Sequence, residues 1–235
     1  MNVVDAVAPV DTRPSSLWTS LPAWGMGHRA ALWVAIFLVS VPVIFQASLV
    51  RWLPELSLAL TAGWLALALW LCRSPKTRSL GDLLIGFTWT WLAGSIYWGW
   101  LRWEPLLHLP IEAIGLPLAI ACLARRQAMV GSWFYLGSLF GTVVTDAYFY
   151  ITDVIPHWRQ LMIAEPDWVH PIFQAALANV TTPWGVIWGL ALTGILIVVG
   201  ALPLQMRQPC YWAFSGAVLS TLLVDGLFLV AAIAA

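Results

Sequence analysis

Long apolar stretches separated by short polar turns dominate the chain from residue 30 onwards. A helix needs about 20 apolar residues to cross a bilayer, because the hydrocarbon core is roughly 30 Å thick and each residue adds about 1.5 Å. The pattern predicts an all-α, polytopic membrane helix bundle with about seven transmembrane helices. An alternative count of six holds if the fourth stretch is re-entrant. The predicted spans are Ala30–Val50, Glu55–Cys72, Asp82–Leu101, Leu106–Ala124, Gly131–Ile151, Trp184–Leu202 and Tyr211–Ile233.

The composition agrees with a lipid environment. Apolar residues make up 61% of the 235 positions and charged residues only 9%. A water-soluble domain of this length needs more charge to cover its surface, so the surplus apolar surface faces a lipid bilayer. The net charge is zero, which argues against nucleic acid as a partner, because phosphate binding needs clustered Lys and Arg.

Basic residues predict the orientation of the bundle. With seven spans, eight bases fall on one side and three on the other, and the basic side is normally cytoplasmic. We therefore expect a cytoplasmic N-terminal arm over residues 1–29 and a single transmembrane domain over residues 30–235. The eight are Arg13, Arg29, Arg73, Lys76, Arg78, Arg125, Arg126 and Arg207, and the three are Arg51, Arg102 and Arg159.

The outer loop over residues 152–183 is longer than ordinary connections, so we expect it to be structured. Pro171 suits the first position of a short helix. The residues that follow form an apolar stripe typical of an amphipathic segment lying on the outer surface: Ile172, Phe173, Ala176, Leu177 and Val180. Tryptophans near the outer helix ends, Trp98 and Trp158 among them, are interpreted as an aromatic belt.

Three carboxylates fall inside predicted spans: Glu112, Asp146 and Asp225. Counted along their helices, all three lie roughly 9 Å below the outer boundary. His108 is one turn from Glu112 on the same face. A carboxylate exposed to lipid costs about 3 kcal/mol or more, so these side chains are expected to face the bundle interior.

We therefore predict a polar pocket open to the outer side. Asp146 and Asp225 form its floor, Glu112 and His108 one wall, and Tyr150 continues the polar face of the fifth span. Acids this close would share protons or hold a cation. The alternative is that each acid bonds a neighbouring helix and binds no ligand. The predicted lid of the pocket consists of His157, Glu165, Asp167 and His170.

Known cofactor and catalytic signatures give no assignment. The spacing of His157 and His170 matches no strong metal motif. A b-type haem held between helices needs histidines inside the spans, and only His108 comes near one. The catalytic residues, the metal and the cofactor therefore stay open.

Several runs resemble a family of cyanobacterial integral-membrane proteins known only as a domain of unknown function. They are YFYITDVIPHWRQLM, EPDWVHPIFQ, TPWG and FSGAVLSTLLVDGLF. The resemblance covers most of the chain after the N-terminal arm. It implies a cyanobacterial plasma or thylakoid membrane, with periplasm or lumen on the outer side, and implies no activity, cofactor or site.

Three functions fit this pattern. The first is a carrier-like protein that binds a cation, protons or a small solute at the carboxylate pocket. An intramembrane enzyme acting on a lipid, quinone or pigment is the second. The third is an assembly factor or scaffold for a photosynthetic membrane complex, which would dock a membrane-protein partner through the outer loop.

Overall fold

The computed structural model describes residues 25–234, so most of the predicted N-terminal arm lies outside the described residues. Helices make up 88% of the structure, and the described residues contain no strand, which confirms the all-α prediction. Ten α-helices follow one another along the described chain. They are α1 (His28–Trp52), α2 (Pro54–Cys72), α3 (Arg78–Ile96), α4 (His108–Glu112), α5 (Leu116–Ala124), α6 (Met129–Ile151), α7 (Ile155–Ile163), α8 (Pro166–Val180), α9 (Pro183–Ala201) and α10 (Pro209–Ala234).

All seven predicted stretches are helical, as α-helix or as α-helix with short 3₁₀ or π segments. Among the described residues, five helices are long and apolar enough to cross a membrane. The predicted third and fifth spans, α3 and α6, are not among them. The number of crossings and the cytoplasmic N-terminus therefore stay predictions. The five are His28–Trp52, Pro54–Cys72, Pro105–Ala124, Pro183–Gln205 and Pro209–Ala234.

Helices α3 and α6 lie at the centre of the bundle. Helix α6 packs against α3, α5, α9 and α10, while α3 packs against α1 and α2. Their backbones approach so closely at Gly86 and Gly131 that a Cβ on either would overlap the other helix. The Asp82 carboxylate accepts hydrogen bonds from the backbone N–H groups of Val130 and Gly131, at 2.9 and 3.1 Å. This satisfies donors at the start of α6 that have no partner within the helix.

Two interruptions in the helices shape the region around residue 100. Helix α3 continues into a π-helical turn, Tyr97–Leu101. A 3₁₀ turn at Ala113–Gly115 separates α4 from α5. Pro117 explains this break, because it has no N–H and its ring clashes with the carbonyl four residues earlier. The Tyr135 hydroxyl donates to the Glu112 carbonyl at 2.6 Å, beside the break.

The segment over residues 152–183 forms α7 and α8. Helix α8 begins at Pro166, so the prediction that Pro171 opens the helix is wrong. Pro166 fills the first turn, where an N–H has no helical partner, and Pro171 lies inside the helix. The predicted apolar stripe of α8 is partly buried, and the helix contacts α7, α9 and α10.

The alternating direction of the helices gives the bundle two ends. We call the end that carries residues 102–107 and 152–182 the loop end. The other end carries the turns over residues 73–77, 125–128 and 202–208, and we call it the basic end. The edge contact between His28 and Trp212, with ring centroids 4.5 Å apart, brings the start of α1 to the start of α10 at the basic end.

Candidate functional site

A buried histidine–carboxylate pair lies toward the loop end. His108 Nδ1 is 3.0 and 2.9 Å from the two carboxylate oxygens of Asp146. The residues are 8% and 2% exposed. A carboxylate offers only acceptors, so Nδ1 carries the hydrogen and donates it. The bond fixes the orientation of the imidazole ring and leaves its second nitrogen, Nε2, available to another group.

Glu112 faces that second nitrogen. It lies one turn from His108 in α4, and its Oε1 is 3.9 Å from His108 Nε2. The side chain of Glu112 is only 12% exposed. A distance of 3.9 Å is too long for a hydrogen bond, and the contact is an ion pair only when His108 is protonated. One imidazole is therefore placed between two carboxyl groups.

Three aromatic side chains surround the imidazole of His108. The Tyr97 ring lies against it with centroids 4.3 Å apart. Trp98 and Trp158 present their edges or faces at 5.7 and 5.5 Å. We call Tyr97, Trp98 and Trp158 the aromatic box. The box encloses the imidazole and keeps water away from it, and His108 is 8% exposed.

The π-helical turn and α7 position the aromatic box. Tyr97 and Trp98 belong to the π turn, a feature that often marks functional sites. Trp158 comes from α7 and stacks parallel to Trp98, with centroids 5.5 Å apart. Its indole N–H donates to the Arg102 carbonyl at 3.0 Å, which anchors α7 to the turn after α3.

A surface ion pair adds a second anchor for α7. The Arg159 guanidinium donates to the Glu104 carboxylate at 2.7 Å. This hydrogen bond lowers the pKa of Glu104 below its ordinary value, and a backbone N–H from Leu106 contributes in the same direction. Both side chains are substantially exposed, so the pair contributes little to stability and mainly sets the position of α7.

Asp225 lies beside the cluster but is held separately. Its Oδ2 accepts a hydrogen bond from the Thr145 hydroxyl at 2.9 Å, and Thr145 precedes Asp146 on α6. Adjacent residues on a helix point about 100° apart, so this bond faces away from the His108 pair. The predicted floor of Asp146 and Asp225 thus consists of two neighbouring carboxylates with different partners.

The remaining predicted residues lie further out. Tyr150 is one turn beyond Asp146 and 42% exposed. His157 is partly buried, and its Nε2 is 3.4 Å from the Asn179 amide nitrogen. Glu165, Asp167 and His170 are exposed on or beside α8. Within residues 25–234, those three form no ion pair or hydrogen bond with the buried cluster.

The cover over His108 was not predicted from the sequence. The aromatic-belt interpretation of Trp158 is wrong, because the residue is 8% exposed and packs inside the protein. A tryptophan near a helix end suits a belt and an interior contact equally well. The available signal was the amphipathic pattern of α7, whose Ile155 and Trp158 lie three residues apart on its buried face.

The arrangement is suited to proton exchange. Asp146 holds the ring, as a carboxylate does when it orients a catalytic histidine. The second ring nitrogen, Nε2, lies on the side of Glu112. Within residues 25–234, no group of three or more His, Cys, Asp or Glu side chains is arranged to hold a metal ion.

A protein-family model described as "Protein of unknown function (DUF3120)" matches residues 35–233. No curated protein and no solved structure matches the chain.

Proposed function

We propose that this chain, which belongs to the DUF3120 family of proteins of unknown function, is an integral membrane protein that binds protons at Asp146, His108 and Glu112 and works as a carrier. The observation that carries the proposal is the His108 ring between two carboxyl groups. Its Nδ1 is 2.9 Å from Asp146 Oδ2, and its Nε2 is 3.9 Å from Glu112 Oε1. The resemblance to a family of unknown function is confirmed; the cyanobacterial membrane, plasma or thylakoid, stays part of this proposal.

Protons suit this site better than a solute or a metal. Both oxygens of Asp146 face one imidazole nitrogen and the side chain is 3% exposed, so little of that carboxylate is accessible to another ligand. All three side chains are about nine-tenths buried or more. A buried imidazole between two acids exchanges a proton at low cost, because the total charge stays close to neutral in every protonation state but the extremes.

The helices around the site support a carrier with moving parts. Glu112 is the last residue of α4, directly before the break that separates α4 from α5. Broken helices beside buried polar groups are a recurring feature of secondary transporters. His108 and Glu112 lie on the same helix, so a rearrangement of about 1 Å at the break beside Glu112, and not a movement of α4 as a whole, would bring its carboxylate within hydrogen-bond distance of Nε2. Proton transfer would then accompany a change in the shape of the break.

A second function, an intramembrane enzyme acting on a lipid, quinone or pigment, is favoured by the same pair. An imidazole oriented by a carboxylate is a general base, and the stacked Trp98 and Trp158 rings give it an apolar environment. Under this function Glu112 would return the proton to the product. An assembly role through α7 and α8 is favoured by their exposed apolar side chains, Ile163 and Trp168, which are 80% and 63% exposed.

Proton movement in proteoliposomes tests the proposal. The protein would be reconstituted with a pH-sensitive dye inside the vesicles, and an imposed pH gradient would drive proton flux in the presence of panels of small solutes. We expect flux that falls at least tenfold in Glu112→Gln and Asp146→Asn. Glu55→Gln is the matched control, because Glu55 is an exposed carboxylate in the first turn of α2. Flux equal to that of empty vesicles with every solute, or an equal loss in the control, would rule out a proton-linked carrier.

A further inference from the structure

A network of hydrogen bonds joins α1, α2 and α3 toward the loop end. The Gln46 side chain of α1 donates its amide hydrogens to α3, to the Trp91 carbonyl at 2.9 Å and to the Ser95 hydroxyl at 3.1 Å. The Ser95 hydroxyl is 2.8 Å from the Ser57 hydroxyl of α2. The Trp91 indole N–H donates to the Ser57 carbonyl at 2.8 Å. We call Gln46, Ser57, Trp91 and Ser95 the polar clasp.

The polar clasp is buried among apolar side chains. Ser57 and Ser95 are 0% exposed, and Trp91 is 5% exposed. A polar group away from water is costly unless it is paired, and these groups pair with one another across three helices. Hydrogen bonds are directional, so they fix the rotation and register of the helices more narrowly than apolar packing does. The clasp therefore sets the position of the last turns of α3.

Those last turns lead directly into the π turn, Tyr97–Leu101. The Gln46 carboxamide lies against Gly94, and Pro54, the first residue of α2, lies against Gly99 inside the π turn. A Cβ added at either glycine would lie 3.1 Å from these neighbours. A π turn is rare and is kept only where the surrounding structure holds it. The clasp and Pro54 supply the contacts that hold this one.

The π turn determines the direction of the side chains that it carries. It contains one residue more than an α turn, so conversion to an ordinary α-helix would rotate the residues that follow by up to about 100°. Trp98 would turn away from His108, and the Arg102 carbonyl would leave the Trp158 indole N–H, which it accepts at 3.0 Å. Two of the three members of the aromatic box therefore depend on this turn.

We infer that Gln46 is a positioning residue for the proton site. Through the polar clasp it holds the π turn, and the π turn holds the aromatic box against the His108 imidazole. The role is indirect, because α1 and α2 control how closely the box encloses the ring. The inference rests on the proposed function for the role of His108, but the enclosure that it describes can be measured without any proton transport.

Chemical labelling of His108 measures this enclosure. Diethyl pyrocarbonate would be applied to the purified protein in detergent, and acylation of each histidine would be followed by mass spectrometry, with the exposed His170 as internal reference. Gln46→Leu removes the amide donors and keeps a side chain of similar size. We expect it to speed the labelling of His108 about fivefold or more, because the box opens locally. Hydrogen exchange over residues 97–102 should accelerate as well.

Gly81→Ala is the matched control. A Cβ at Gly81 would overlap Cys72 and the Ala68 carbonyl, so this change weakens the same α2–α3 contact at the basic end, away from the π turn. It should lower the melting temperature, yet leave the labelling rate of His108 within about twofold of the wild type. A general loss of stability is thereby separated from a loss of positioning.

The infrared imidazole band of His108 connects the enclosure to the proton site. In Gln46→Leu this band should titrate over a different pH range from the wild type, because water reaches the ring. The carboxyl groups that face the ring, Asp146 and Glu112, are the same in every variant. Gly81→Ala should leave the pH range unchanged. Ser57→Ala is a milder change that keeps the carbonyl bound by Trp91, and it should move the labelling rate and the band in the same direction as Gln46→Leu.

Two outcomes would overturn the inference. One is labelling of His108 at the wild-type rate in Gln46→Leu, or in Ser57→Ala if Gln46→Leu does not fold. The other is an equal acceleration in Gly81→Ala. An imidazole band that does not titrate in the wild type would contradict the proposed function instead, and the labelling and exchange rates would then decide the positioning role by themselves.

Discussion

At the scale of single residues, the Asp146–His108 bond has a measurable energetic signature. Removing one member of a buried charged pair leaves the other without its partner, which costs about 3–5 kcal/mol. We therefore expect His108→Ala and Asp146→Ala each to lower the free energy of unfolding strongly, and the double variant to cost clearly less than the sum. Reversible unfolding in detergent, followed by circular dichroism, provides the three values.

The same set of variants made with Asp225 in place of Asp146 is the control, because Asp225 accepts a hydrogen bond from Thr145 and not from His108. Effects of His108→Ala and Asp225→Ala should add to within about 0.5 kcal/mol. Additive effects for His108 and Asp146 would show that the 2.9 Å contact does not couple the two side chains.

The residues of the site were partly predictable from the sequence. Asp146 and Glu112 lie within apolar stretches, where a carboxylate is costly, so their inward direction follows from solvation alone. Helical spacing places His108 with Glu112. The direct bond to Asp146 was not predictable, because it depends on how α4 and α6 are rotated against each other. Spacing along one helix carries no information about that angle.

A pH dependence follows from the ion pair that anchors α7. Arg159 lowers the pKa of Glu104. Docking of α7 through this pair is therefore complete above the ordinary pKa of a glutamate, about 4.3, and is lost as the pH falls through the lowered value. We expect hydrogen exchange over residues 155–163 to accelerate in that acidic window.

The variant Glu104→Gln isolates this effect. In this variant, hydrogen exchange over residues 155–163 should already be fast at neutral pH. It should not accelerate further at acidic pH, since no carboxylate remains at position 104 to titrate. If wild type and Glu104→Gln exchange alike at neutral pH, the ion pair does not hold α7.

At the scale of helices, the contact between α3 and α6 depends on glycine. A Cβ at Gly131 would overlap the backbone of Asp82. We expect Gly131→Ala to lower the melting temperature by several degrees, because two central helices must separate. Gly194→Ala on α9 is the matched control, since nothing lies within 4 Å of an added Cβ there. It should be neutral or slightly stabilising, as alanine is the better helix former. Similar melting temperatures for the two variants would mean that the α3–α6 contact tolerates a shift.

Hydrophobic stretches predict helices well in this chain and predict their irregularities poorly. The break after Glu112 had a signal in Gly115 and Pro117, since proline removes a donor and restricts the residue before it. The π turn at Tyr97–Leu101 has a weaker signal, because Gly99 is a poor helix former but does not indicate which irregularity occurs. Tertiary packing, absent from any local pattern, sets that turn.

At the scale of the whole molecule, the orientation in the membrane can be tested directly. The excess of bases at the basic end predicts that this end faces the cytoplasm. Single cysteines placed at Gln127 and at Gln160, in a background free of Cys72, Cys122 and Cys210, would be exposed to a membrane-impermeant maleimide in intact cells. The cysteine of Gln160→Cys should react in intact cells, and the cysteine of Gln127→Cys should react only after lysis. The reverse pattern would invert the bundle and place the proton site near the cytoplasm.

The centre of the bundle explains why the number of spans is hard to predict. Helices α3 and α6 face protein on most sides, so they carry glycine, serine, threonine and aromatic residues in place of the aliphatic side chains that face lipid. Hydropathy measures how well a segment suits lipid. A helix enclosed by other helices does not contact lipid, so its side chains need not be strongly apolar. The most central helices therefore give the weakest signal.

Infrared difference spectroscopy across pH tests the central claim that His108, Asp146 and Glu112 share one proton site. The imidazole bands of His108, identified by subtraction of His108→Gln, and the carboxyl band of Glu112, identified with Glu112→Gln, would be followed in the reconstituted protein. The account predicts that both bands change over the same pH range and move together in Asp146→Asn, while Asp225→Asn leaves them in place. Independent titration of the two groups, unaltered by Asp146→Asn, would contradict it.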